Sequence, residues 1–445
     1  MGSKVRNDFL IGINYWPPEK AMYWWFNFDP ALAKRDFARL AEFRFELVRI
    51  FLLWEDFQPE INRISVSALN HLVRVASLAN DAGLKILPTF FCGHMSGVNW
   101  LPPWMLEPKK KKNRFPIFSG GGIQSATVRN FYKERELRKA QKLLLHETSN
   151  ALQGHPAVWG WDLGNEPSNL ALPSSKDDAK GWLEEMVSEL KRRDGHLPIT
   201  LGLHQGDLEN NTLLGPRESA PFCDVLSMHA YPGYAPWGEG PLDERIPLFL
   251  ALLTQWLGGK EVILEEFGVP FKPSGGIPSQ ADEKKLGDRV LVSEEEGEWF
   301  YRKVLESLRE YGIQGALPWC YGDYDPILWD TPPLKDLVHE RYFGVFHWYG
   351  APKKPAEAIA RVSRRRAAKE PLGDWIDMDP EEFYRNPRRN IKQLYRKLKG
   401  WIQNDGKSDG TDSLVRRRKE PRYRTCLGAA KKELSARGLD CPADE

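Results

Sequence analysis

Two acidic sites in this chain have the residue types and the setting for acid–base chemistry. Asn165, Glu166 and Pro167 close the apolar run in "WGWDLGNEPSN". Glu265 and Glu266 stand at the end of another apolar run, "VILEEFGVP". A carboxylate at the end of a buried strand loses hydration, so it needs a partner or a task. An isolated Asn-Glu-Pro also suits an ordinary turn whose side chains face water. A second acidic site changes that balance. Glycosidic cleavage requires two carboxyl groups facing one another across the scissile bond, one to protonate the leaving oxygen and one, ionised, for the anomeric carbon.

Such a pair must be brought together by the elements that end there. Short apolar runs alternate with longer amphipathic segments. The expected strands are 9–15, 46–52, 84–91, 157–163, 198–203, 224–230, 261–267 and 313–319. Helical patterns cover 30–43, 67–83, 128–152, 179–193, 246–257 and 295–312. Gly83 and Gly312 stand just beyond helix ends, where the left-handed conformation stops a helix. Eight strands alternating with helices imply a parallel sheet. Closure into a (β/α)8 barrel is the simplest solution, with a doubly wound sheet as the alternative. The long connections 92–122, 231–245, 268–290 and 321–343 all follow strands and are rich in Trp, Tyr, Pro and Gly. Loops of that length in a compact domain usually serve function, and barrels keep their chemistry on that face. Glu166 would emerge on the rim at the fourth strand and Glu266 at the seventh, across the mouth.

"GNEP" after one strand, "HAY" after a later one and "EFG" after the next resemble clan A retaining glycoside hydrolases, especially family 5. "GINYWP" and "RIFLLWEDF" are similar to the endo-1,4-β-mannosidase-like branch of that group. The likeness extends over about residues 8 to 362. It implies a two-step hydrolysis through a covalent glycosyl-enzyme, with Glu266 as nucleophile and Glu166 as acid/base. It also implies that Asn165 binds the sugar 2-hydroxyl and that Arg49 supports the nucleophile. His94, His229 and Tyr231 would line the site, and Trp319 would form the sugar platform. β-1,4-Mannosides are the first expectation for substrate and β-glucans the second. Transglycosylation, or a carbohydrate-binding barrel without catalysis, are the alternatives. The chain departs from the family pattern before the nucleophile, where a small or hydroxylated residue is usual and Glu265 stands instead. Successive strand side chains point to opposite faces. Glu265 is therefore expected to face the helix layer, the swapped assignment being the alternative.

Composition fits an oligosaccharide or polysaccharide as partner. The chain holds 17 Trp, 14 Tyr and 21 Phe, enough for both a core and a sugar-stacking cleft. A net charge of +2 gives no field that would favour nucleic acid or an anionic membrane. Five cysteines without CxxC spacing support neither a disulfide framework nor a zinc site. No G-x-S-x-G elbow, H-E-x-x-H pair or Walker loop is present, and the expected chemistry needs no cofactor or metal. The N-terminal stretch lacks a long apolar segment, so a cytoplasmic location is expected. The expected division is a catalytic barrel over 1–366, a helical extension over 367–402 and a weakly ordered basic tail over 403–445. The lysines at 109–112 read as a solvated loop.

Overall fold

The computed structural model describes residues 8–109, 113–277, 279–367 and 375–405. The basic tail from 406 onward, and 110–112 of the lysine run, lie outside the described residues.

Eight parallel strands close into a barrel in sequential order. They are β1 (Leu10–Tyr15), β2 (Leu47–Leu53), β3 (Lys85–Cys92), β4 (Trp161–Asn165), β5 (Ile199–His204), β6 (Leu226–Ala230), β7 (Val262–Phe267) and β8 (Gly315–Pro318). The strands read as unbroken apolar runs because both of their faces are covered; "LVRIFLL" of β2 is buried at every position. Leu47, Leu87, Val225, Ile263 and Leu317 form one cluster of the core. Each such buried side chain contributes about 1.5–3 kcal/mol.

Outside the barrel run α1 (Pro30–Glu42), α2 (Val66–Asp81), α3 (Arg135–Ala151), α4 (Lys176–Asp194), α5 (Arg245–Gly258), α6 (Glu294–Glu310) and α7 (Lys354–Arg361). Their starts follow capping chemistry. Asp29 caps α1 ahead of Pro30, and Ser293 and Glu296 form a reciprocal capping box on α6. The expected strand at 157–163 is continuous only from Trp161, preceded by an isolated bridge between Val158 and Ile86. Gly160 packs so closely that a Cβ there would lie 2.6 Å from the Pro198 carbonyl oxygen.

Two departures from strict alternation matter. No long helix follows β5, only the short turns Gln205–Glu209 and Pro216–Ser219. Helical segments from the C-terminal part cover that side. Phe383 of Pro380–Arg385 meets Trp256 edge-on at 6.0 Å, and Tyr395 of Pro387–Asp405 packs against Phe249 at 5.2 Å. Residues up to Leu398 belong to one compact unit, and 399–405 open the second. The connection after β3 is also not a simple loop. It folds into small sheets from His94–Met95, Val98–Trp100, Ile117–Ser119 and Gly122–Gln124, with Leu106–Pro108 paired to Ala126–Val128. These strands are too short to show a period in sequence. No described helix is long and apolar enough to cross a membrane.

Candidate active site

Arg49 on β2 is fully buried and is the hub of the barrel mouth. Its Nη1 donates to Glu266 Oε1 at 2.6 Å and to Asn14 Oδ1 at 3.2 Å. Its Nη2 donates to Asp162 Oδ2 at 2.8 Å and to Asn165 Oδ1 at 3.0 Å. Burial opposes a charged guanidinium, but Glu265, Asp162 and Glu266 outweigh it, and the pKa is raised above the ordinary arginine value. The expected Arg49–Glu266 contact is therefore direct. Asp162 is pushed up to about 6 by burial and by Glu265, against the pull of Arg49.

Glu266 also accepts from the Tyr231 hydroxyl at 2.7 Å. Burial and the charge of Glu166 hold its pKa above the ordinary carboxylate value, against the pull of His229, Arg49 and the Tyr231 hydrogen bond.

Glu166 follows β4 with φ +48° and ψ +52°, a left-handed conformation for a residue that precedes proline. Such backbone costs about 1–3 kcal/mol and persists where neighbours over-determine it. Here the Glu166 amide donates to the Gly202 carbonyl at 2.9 Å, and the Asn169 amide donates to the Glu166 carbonyl at 2.9 Å. The carboxylate accepts from His229 Nδ1 at 2.9 Å and from Asn169 Nδ2 at 2.6 Å. Burial raises its pKa, but His204, His229 and His94 overcome this and hold it below the usual carboxylate range.

The remaining expected residues converge on the same cavity of about 610 Å³, which is lined by His94, Asn165, Tyr231 and Trp319 besides the two glutamates and His229. His94 Nδ1 donates to Asn99 Oδ1 at 2.7 Å, which turns Nε2 toward Glu166 Oε2 at 3.8 Å. Asn165 Nδ2 donates to the His94 carbonyl at 2.8 Å, so both ends of its amide are held. Trp319 stands edge-on to Phe51 at 5.8 Å.

Glu265 corrects the sequence expectation. It does not face the helix layer but lies buried in the barrel mouth, with Oε2 3.3 Å from His229 Nε2 and 3.4 Å from Arg49 Nη2. Strand alternation fails because the register of β7 shifts between Met228 and His229 against β6, and between Leu264 and Phe267 against β8. Asn14 Nδ2 donates to the Glu265 carbonyl at 2.8 Å, which satisfies backbone at the irregularity. Asn14, Asp162, Asn169 and Glu265 are site residues the motifs alone did not assign. An aspartate inside the apolar run "VWGWDLG" was the available signal for Asp162.

One donor atom from each of Glu166, His229 and Glu266 lies within 4.8 Å of the others, a set that could ligate a cation. His229 itself stands between the two carboxylates, with Nδ1 2.9 Å from Glu166 Oε1 and 3.5 Å from Glu266 Oε2. Burial lowers its pKa, but Glu266 and the hydrogen bonds to Glu166 and Glu265 raise it to about 10. The arrangement fits an imidazolium better than a metal ion.

No family model matches the chain. Over 326 residues it is 25% identical to the Aspergillus terreus protein named "Probable mannan endo-1,4-beta-mannosidase C", covering 64% of this chain and 70% of that one. A GH5_18 protein from Streptomyces cattleya, solved in complex with Manβ1-4GlcNAc, superposes with a TM-score of 0.63 at 21% identity over 79% of each chain. The exo-β-1,4-mannosidase Op5Man5 from Opitutaceae bacterium strain TAV5 matches with a TM-score of 0.63 and 22% identity, over 79% of this chain and 58% of that one. Barrel, site and relatives together define a glycoside hydrolase, similar to the clan A, family 5 type that the motifs imply.

Proposed function

We propose that the chain hydrolyses β-mannosides with retention of configuration. The observation that carries this reading is the approach of Glu166 and Glu266, whose nearest donor atoms stand within 4.8 Å across the mouth. Retaining enzymes hold their carboxyl groups about 5–5.5 Å apart, and inverting enzymes leave room for a water. Glu266, paired with Arg49, attacks the anomeric carbon while protonated Glu166 donates to the leaving oxygen. Glu166 then draws a proton from water, which releases the sugar from Glu266. Mannoside preference is supported by the names of the Aspergillus and Opitutaceae proteins.

The cleft supports action at the non-reducing end. Its lining follows β3 to β8, and no residue after β1 or β2 contributes among the described residues. That side is roofed. The Tyr23 hydroxyl donates to the Pro332 carbonyl at 2.7 Å, and Tyr23 meets Trp100 edge-on at 5.5 Å. Leu337 lies so close to Gly97 that a Cβ there would stand 2.7 Å from Leu337 Cδ1. A chain bound with its leaving sugar beside Glu166 would meet this roof on the other side of the scissile bond. The test is digestion of reduced mannohexaose with products resolved by length. Release of mannose from the first time point supports the reading, and early mannobiose and mannotriose would reverse it. A wild-type enzyme that cleaves aryl β-glucosides but no β-mannoside would overturn the substrate assignment.

A further inference from the structure

His229 stands among three carboxylates. Its Nδ1 is 2.9 Å from Glu166 Oε1 and 3.5 Å from Glu266 Oε2, and its Nε2 is 3.3 Å from Glu265 Oε2. A neutral imidazole offers one N–H and one lone pair, whereas an ionised carboxylate only accepts. Two carboxylate partners on opposite ring nitrogens therefore require either a second ring proton or a protonated acid. Arg49 Nη2, 3.4 Å from Glu265 Oε2, favours the ionised form of Glu265. Asn169 Nδ2, which donates to Glu166 Oε2 at 2.6 Å, likewise favours ionised Glu166, so the second proton belongs to the ring.

We propose that Glu265 is a positioning residue that holds His229 as an imidazolium, and that the Nδ1 proton of His229 supplies Glu166 with the proton it donates. This rests on the reading of Glu166 as acid/base and Glu266 as nucleophile. The proton count closes over one turnover. Transfer from Nδ1 to Glu166 leaves neutral His229, its Nε2–H still donated to Glu265. Glu166 gives that proton to the leaving oxygen while Glu266 forms the ester and loses its charge. Glu166 then takes a proton from the attacking water, the ester opens, and ionised Glu266 returns. With that charge restored, the proton passes back to Nδ1. Glycosylation removes the Glu266 charge that favours the imidazolium, so His229 stays neutral in the glycosyl-enzyme and regains its proton only when Glu266 is ionised again.

The groups that bear on His229 are Glu265 and Glu266 from β7, Glu166 after β4, Arg49 from β2 and Tyr231 after β6. Asp162 lies behind Arg49, and His94 and His204 act on Glu166. Glu265, Arg49 and Asp162 stand behind the cavity lining, and of these three Glu265 is the one hydrogen-bonded to His229. Its charge is therefore the one to alter.

The experiment is the pH dependence of kcat/KM for wild type, Glu265→Gln and Glu265→Asp, on β-1,4-mannobiose and on an aryl β-mannoside with an activated leaving group. Glu265→Gln should move the alkaline limb for mannobiose down by about one pH unit or more, with a smaller change on the aryl substrate, whose departure needs little protonation. Glu265→Asp keeps the charge and should leave the limb near its wild-type position. An unmoved limb in Glu265→Gln, or equal losses on both substrates across pH, would overturn the proposal. Imidazole 15N signals of wild-type His229 at pH 8 give a second reading that needs no variant. Two protonated-type nitrogens support the imidazolium, and one unprotonated nitrogen overturns it. Should wild type cleave neither mannoside, the proposed function fails, while the nitrogen signals still decide the charge of His229.

Discussion

Arg49 and Glu266 meet at 2.6 Å across the interior of the barrel, with the guanidinium wholly withdrawn from water. Nothing in local sequence couples β2 to β7; the closed barrel does. The same guanidinium also holds Asp162 and Asn165, so one residue sets the nucleophile, its neighbour across the mouth and the amide beside the acid/base.

Arg49→Lys keeps a charge but loses the planar fork that serves these partners at once. Turnover of an aryl β-mannoside should fall by about 10²-fold or more, the scale of losing a preorganised electrostatic contact. Arg49→Met leaves buried carboxylates without a counter-charge and should destabilise the fold by about 3–5 kcal/mol. Chemical denaturation measures the second effect. Near-wild-type turnover in the lysine variant would reduce Arg49 to a structural ion-pair partner.

The two glutamates are separable by their leaving-group dependence. Glu166→Ala should cleave mannobiose about 10²–10⁴-fold more slowly, yet still form the covalent intermediate from an activated aryl mannoside. Azide should then restore turnover and give the β-glycosyl azide. Glu266→Ala should show no burst, and any azide product should be the α-anomer. A burst that survives in Glu266→Ala but vanishes in Glu265→Ala would move the nucleophile to Glu265.

Asn169 Nδ2 donates to Glu166 Oε2 at 2.6 Å and so favours the ionised acid/base. Asn169→Ala should raise the pKa of Glu166 and shift the alkaline limb of kcat/KM for mannobiose upward, opposite to the shift expected for Glu265→Gln. The lost orientation should lower the plateau by roughly tenfold, the cost of one hydrogen bond to a charged group. A downward shift of that limb would show that Asn169 does not act through Glu166.

His229 carries a pH-dependent share of stability. Its folded pKa, about 10, lies above the unfolded value of about 6.5. A raised folded pKa means that this stabilisation is complete below about pH 6.5 and is lost as pH climbs through the folded value. The melting temperature of wild type should therefore fall from pH 7 to pH 10, and His229→Asn should flatten that decline. Parallel curves for the two proteins would mean that other groups carry the alkaline loss.

Much of this was legible in the chain itself. The eight apolar runs, the helix ends at Gly83 and Gly312, and the order of "NEP", "HAY" and "EFG" follow from local chemistry and spacing. Glu166, Glu266, Arg49, His94, Asn165, His229, Tyr231 and Trp319 were singled out by the order of short motifs at successive strand ends, each motif being weak alone. The short strands after β3 were not, because three residues give no period to read. The cover on the β5 side was not, because it comes from residues more than 150 positions away, as the pairing of Arg217 with Glu381 shows.

The sequence by itself determined which residues stand at the strand ends, since burial on both faces makes each strand an apolar run that ends where polar side chains begin. Only the tertiary structure decided what those side chains meet. Strand alternation sends Glu265 outward, but the register of β7 shifts against both of its neighbours and turns Glu265 into the mouth, under His229. Register belongs to the pairing of strands rather than to any one of them. A shift of one residue, settled by the closure of the whole barrel and by Asn14 holding the Glu265 carbonyl, is therefore what completes the site.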